Sequence, residues 1–145
     1  MIRNEREYRE AVERVEHEKL RLTQHEKHLR SQRLTPSQVK KVMEPLRSFH
    51  LQLSEEIAAY ERLQRGEFPE LRNFDGLGQL LVSLRIACGL TQRQLAQRLG
   101  VDEALVSRDE RNEYHNIGIG RATRILEVLG ARLRTVVELP VPSAA

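Results

Sequence analysis

Gly89-Leu90-Thr91-Gln92-Arg93-Gln94-Leu95-Ala96-Gln97-Arg98-Leu99-Gly100-Val101-Asp102-Glu103-Ala104-Leu105-Val106-Ser107-Arg108-Asp109-Glu110-Arg111-Asn112-Glu113-Tyr114 carries two short helical patterns around one glycine. Thr91 stands where an N-cap side chain accepts a hydrogen bond from the backbone, and Gln94, three residues on, completes a capping box. Leu95, Ala96 and Leu99 then share one face, and Gly100 sits where a left-handed residue ends a helix. Val101 follows as an apolar anchor. Asp102 or Glu103 opens a second helix, whose inward face carries Leu105 and Val106. The expectation is two helices joined by a tight glycine turn.

Such a pair is a helix-turn-helix, the arrangement that lays its second helix in the major groove of DNA. The pattern extends beyond the pair. Leu84-Arg85 precedes it, Gly89-Leu90-Thr91-Gln92 forms the entry turn, and Val106-Ser107-Arg108 with Glu110 marks the second helix. Arg121-Ala122-Thr123-Arg124-Ile125-Leu126-Glu127-Val128-Leu129-Gly130 looks like a closing core helix. On these residues the segment from Leu77 to Leu133 resembles the Xre family, the Cro- and lambda-repressor-like helix-turn-helix domains.

The resemblance implies several roles. Arg85 and Glu110 stand where the family carries a charge pair tying its first helix to the recognition helix. Glu103, Ala104, Ser107 and Arg108 occupy base-reading positions. Arg108 can fork onto guanine, Ser107 can donate or accept, Glu103 can accept from cytosine N4, and Ala104 can touch a thymine methyl. Gln92, Arg93, Asp102, Arg111, Asn112, Tyr114 and His115 are expected on the DNA backbone, the first two with the positive end of a helix. Two positions depart from the pattern. Asp109 replaces a usual apolar or aromatic residue, so it either faces solvent or finds an arginine such as Arg108 or Arg111. Asn112 replaces a common glycine, a mild change because asparagine tolerates the left-handed conformation.

A chain of 145 residues, 39% hydrophobic and 31% charged, suits one or two small helical domains. No apolar run approaches the ~20 residues of a membrane span, and no basic-then-apolar leader points to secretion. The single Cys88 has no internal disulfide partner, which fits a reducing cytoplasm; its simplest reading is a small buried hydrophobe. The net charge of +3 is unevenly placed. Residues 1–65 hold 14 basic against 11 acidic side chains, whereas residues 66–145 hold 10 of each, every base an arginine. Any electrostatic footprint on DNA must therefore come from local placement.

The first half is a different object. Asn4 caps a charged run with Glu7 at the third helical position, and the run continues to about Arg33. Tyr8, Val12, Val15, Leu22 and Leu29 keep a heptad spacing. Thr35, Pro36 and Gln38 then open a second helix with another capping box. It carries Val39, Val42, Leu46, Phe49, Leu53, Tyr60 and Leu63 at three-four spacing, with Ile57 beside them. Pro45 should kink or break it, and Gly66 should end it. The pattern predicts an antiparallel, coiled-coil-like hairpin over residues 1–66, read as a dimerisation or partner-binding arm. The competing reading folds it back onto its own DNA-binding domain. Residues 67–75 read as a linker and residues 76–133 as the helix-turn-helix domain. His17, His25 and His28 lie on the first helix, but they are too few for a zinc site and read as solvated.

Residues 134–145 form a tail. Within Ala131–Leu139 the residues are β-branched and partly alternating, and Pro140 and Pro142 stop the run. This predicts a short strand, paired either with a symmetry mate, as in the HipB-like antitoxins it resembles, or with its own domain. Ile2–Tyr8 likewise looks like the start of some HigA-like antitoxins. No nucleophile with its base, phosphate-cradling loop or paired carboxylate stands out, so no enzymatic activity, cofactor or metal is expected. The whole reads as an all-α, cytoplasmic regulator, a repressor binding a two-fold symmetric double-stranded operator as a homodimer. The alternative is an antitoxin that neutralises a toxin protein and autoregulates its operon.

Overall fold

The computed structural model describes residues 1–140 and contains six helices among them: α1 (Glu5–Ser31), α2 (Pro36–Gln64), α3 (Leu77–Ala87), α4 (Gln92–Leu99), α5 (Glu103–Arg111) and α6 (Ile119–Leu129). Local chemistry explains most of the boundaries. Asn4 accepts from the Glu7 amide to start α1. Thr35 with Gln38 and Thr91 with Gln94 form complete capping boxes on α2 and α4. Each box satisfies two of the amides that a helix start leaves without a partner. At the end of α4, Gly100 is left-handed at φ 70, its amide bonds the Gln97 carbonyl, and the Val101 amide bonds Ala96. This double closure is a Schellman motif, and a residue with a Cβ would be strained at that φ.

α1 and α2, 27 and 29 residues long, each run about 40 Å at 1.5 Å per residue. The turn between them is too short for any arrangement but an antiparallel hairpin. Val39 and Met43 are buried in its seam. Arg47 and Arg30 bracket Glu26, and the Arg47 hydrogen bond is the main cause holding that carboxyl below its ordinary range. Pro45 does not break α2, which continues through it. The proline removes one amide donor, and packing along the rest of the helix outweighs that loss.

The hairpin is not a detached arm. Its open end, where α1 starts and α2 finishes, packs against α3. Ile2, Ala11 and Tyr60 share one buried cluster with Leu77, Leu81, Val82, Ile86, Tyr114, Ala122 and Ile125. The Tyr8 ring stacks on Tyr60 with centroids 5.0 Å apart, and its hydroxyl donates to Glu61. Leu71, from the connecting segment, also packs on this cluster. The fold-back reading therefore holds for the base of the hairpin. Its middle and tip behave differently: Val42, Leu46 and Phe49 are 44%, 44% and 51% exposed.

The expected strand is absent among the described residues. Residues 131–140 have no regular structure, and Val136, Val137 and Leu139 lie open to solvent. A strand needs a partner for its backbone groups, and none of the described elements offers one. The end of the tail, including Pro142, lies outside the described residues. Cys88 is also not the buried hydrophobe expected, because it caps α3 at the surface. Val101 is likewise more exposed than an anchor should be.

Candidate nucleic-acid interface

A second buried cluster of Leu95, Ala96 and Val106, with Leu99, Val128 and Leu129 around it, joins α4, α5 and α6. Burying Val106 on one side of α5 turns the opposite side outward. Ala104, Arg108 and Arg111 are exposed there, with Ser107 half-buried at the edge, and Glu103, the first residue of α5, is exposed on the Val106 side. The capping box at Thr91 leaves the amides of Gln92 and Arg93 without intrahelical partners, at the positive end of α4. The Arg93 side chain is exposed.

Behind this surface lies a polar network almost shut off from water. The Arg85 guanidinium donates through Nε to Glu110 Oε1 at 2.5 Å and through Nη2 to Oε2 at 2.8 Å. Its Nη1 donates to the Leu90 carbonyl at 2.6 Å, and the Gln92 amide donates to Glu110 Oε2 at 2.7 Å. Both side chains of the ion pair are only 4% exposed. One planar fork thus joins α3, the entry turn and α5, with Gln92 tying α4 to the same carboxylate, a geometry that lysine could not reproduce. The Gln92 side chain is consequently committed to the interior, so only its backbone amide remains for an anion.

Three expectations need correction. Tyr114 is not on the surface: it is 5% exposed within the main cluster, and its hydroxyl has no hydrogen-bond partner. Burial, and then the nearby charge of Glu110, push its phenol well above the usual range. DNA cannot reach it. Asp109 finds neither Arg108 nor Arg111 but Arg121, on α6. Asn112 has an ordinary φ of −91, and the left-handed conformation falls instead on Glu113 and Tyr114 at φ 52 and 51. That turn brings the Glu113 carbonyl against α3, where a Cβ on Gly78 would lie 1.7 Å from its oxygen. Asp102 caps α5 without a side-chain hydrogen bond. With Asn112 and His115 it remains exposed.

Residues 81–136 match the Helix-turn-helix family model. The match takes in most of α3, all of α4 to α6 and the start of the tail, and leaves the hairpin outside. No curated protein and no solved structure is significantly similar to the chain. No described helix is long and apolar enough to cross a membrane.

Sequence reading did not anticipate what lies beside the helix-turn-helix surface. A cleft of about 770 Å³ runs between the start of α1 and the entry of α4. Arg3, Asn4 and Arg6 lie on one wall and Thr91, Gln92 and Glu103 on the other. More than 80 residues separate the two walls, so no local pattern could have joined them. The Arg121–Asp109 pair had a weaker but legible signal: an acid where an apolar residue belongs calls for a nearby base.

Proposed function

We propose that this protein is a sequence-specific double-stranded DNA-binding transcriptional regulator, a repressor that reads a two-fold symmetric operator as a homodimer. The observation that carries the reading is the exposed face of α5, rigidly braced from behind by the buried Arg85–Glu110–Gln92 network. Groups that read bases must be held in one geometry before DNA arrives, because ordering them on binding costs affinity. Glu103, Ala104, Ser107 and Arg108 are assigned to base edges. Arg93, Arg111, Asn112, His115 and the α4 amides are assigned to phosphates, which position the helix without reading sequence.

Dimerisation is assigned to the uncovered part of the hairpin. Leu22, Leu46 and Phe49 line a trough of about 680 Å³ edged by Arg21, His25 and His28. A second copy covering it would present two recognition helices, and a pair about 34 Å apart reaches successive major grooves on one side of the duplex. Selection of full-length protein against a random duplex pool tests the proposal. Enrichment of an inverted repeat is expected, and no enrichment of any sequence would overturn it.

A second reading, an antitoxin, is favoured by one observation. Val136, Val137 and Leu139 form an apolar stretch open to solvent. It predicts a neighbouring reading frame that is toxic alone and harmless when co-expressed with this chain. Rescue should be lost when residues 134–145 are removed.

A further inference from the structure

We infer that the start of α1 belongs to the DNA interface, with Arg3 and Arg6 holding the phosphates next to those gripped by the start of α4. The inference rests on the DNA-binding reading of the helix-turn-helix and extends it to a segment outside the family match. Three observations support it. The first is placement, since Arg3 and Arg6 share one cleft with Thr91, Gln92 and Glu103. Those three residues lie at the starts of α4 and α5, the ends that approach the duplex in this motif.

The second is rigidity. Ile2 is buried in the shared cluster, and Asn4 caps α1. The Arg3 amide also donates to Glu7 Oε2 at 2.8 Å. The Arg3 backbone is therefore held between an anchored residue and a capped helix, so contact with a phosphate orders only its side chain.

The third is charge. Glu5 and Glu7 stand on the same wall and Glu103 on the other. Glu5 pairs with Arg9 at 3.1 Å, and Glu7 accepts from the Arg3 amide and the Asn4 side chain. Arg6 lies 3.7 Å from Glu10, with both side chains mostly in water, a pair too weak to hold it back. Arg3 has no ion-pair partner among the described residues. Arg3 and Arg6 are thus cations without a firm partner beside the start of α4, opposite the Glu103 carboxylate assigned to a base edge. Phosphate contacts release condensed counterions, so each available arginine counts directly in affinity.

The test uses the full-length protein and its selected operator, with fluorescence anisotropy across a range of salt. Each phosphate contact contributes a slope of about −0.9 in log K against log salt, or roughly fivefold in affinity near 0.15 M. Arg3→Ala/Arg6→Ala should therefore raise Kd about thirtyfold for each half-site bound and flatten the slope by nearly two per half-site. The preference for operator over scrambled duplex should be unchanged, and Arg3→Lys/Arg6→Lys should recover most of the loss. Lys40→Ala/Lys41→Ala, at the hairpin tip, serves as a control for total charge, and melting curves exclude loss of fold. An unchanged Kd and slope would overturn the inference. Tighter binding by the alanine variant would also overturn it, showing that the segment obstructs DNA. If the wild-type protein enriches no sequence, the DNA-binding reading itself fails. If wild type binds but the variants match it, only the role of Arg3 and Arg6 falls.

Discussion

Arg85→Met strands the Glu110 carboxylate in a space only 4% open to water, with the Gln92 amide as its remaining side-chain donor. Removing one partner of a buried ion pair costs about 3–5 kcal/mol, mostly the desolvation of the charge left behind. The Leu90 carbonyl loses its charged donor as well, so the upper part of that range is expected. At about 2–4 °C per kcal/mol for a chain of this size, the melting temperature should fall by roughly 8–20 °C. Glu110→Leu should do comparable damage by stranding the guanidinium. The double variant Arg85→Met/Glu110→Leu leaves no buried charge behind, and replacing such a pair with apolar groups of similar volume is often close to neutral. It should therefore be more stable than either single variant. Urea unfolding of all four proteins gives the coupling free energy directly. A double variant destabilised by the sum of the singles would mean the two charges act independently. The account of α5 as a helix braced by this pair would then be wrong.

Further outcomes follow from the same geometry. Arg108→Ala should lose roughly 1–3 kcal/mol on the operator and relax specificity at one base position. Arg93→Ala should instead weaken all sequences alike and flatten the salt dependence by about one contact per half-site; anisotropy on operator and scrambled duplexes separates the two. Leu46→Glu/Phe49→Glu should convert a dimer to a monomer by light scattering at micromolar concentration while the helical circular dichroism is retained. Removal of the whole hairpin cannot make the same point, because it would strip Ile2 and Tyr60 from the cluster on α3. Tyr114→Phe should stabilise the fold by about 1 kcal/mol, since the buried hydroxyl loses water and gains no partner. Burial raises the Tyr114 phenol above its ordinary value of 10.0. The unfolded chain therefore releases that proton first, and stability should fall as pH rises above about 10. The fall should be shallower in Tyr114→Phe, measured by urea midpoints between pH 8 and 11.

Helix starts and stops were legible because they are local. A cap such as Thr91 with Gln94, or a left-handed stop such as Gly100, draws its hydrogen bonds from residues three to five positions away. Such bonds are available to the sequence alone. The apolar spacing of Leu95, Ala96 and Val106 similarly specified the inward side of the motif, and with it the outward side of Arg108. Pro45 was misleading because a single lost amide bond is small against the packing of a 29-residue helix.

Long-range contact decided the rest. The hydroxyl of Tyr114 suits a surface, yet its left-handed backbone turns the ring under α3, where the apolar area gained outweighs an unpaired polar group. Cys88 lies outside because α3 ends at it, and Asp109 is matched by a base one helix further on. The two tyrosines at the open end of the hairpin read as part of a seam, and only the packed structure set Tyr60 against α3. Heptad spacing says that a face is apolar, not what will cover it. Coverage depends on which distant surfaces fit, and fit brought Arg3 and Arg6 beside Gln92 and Glu103.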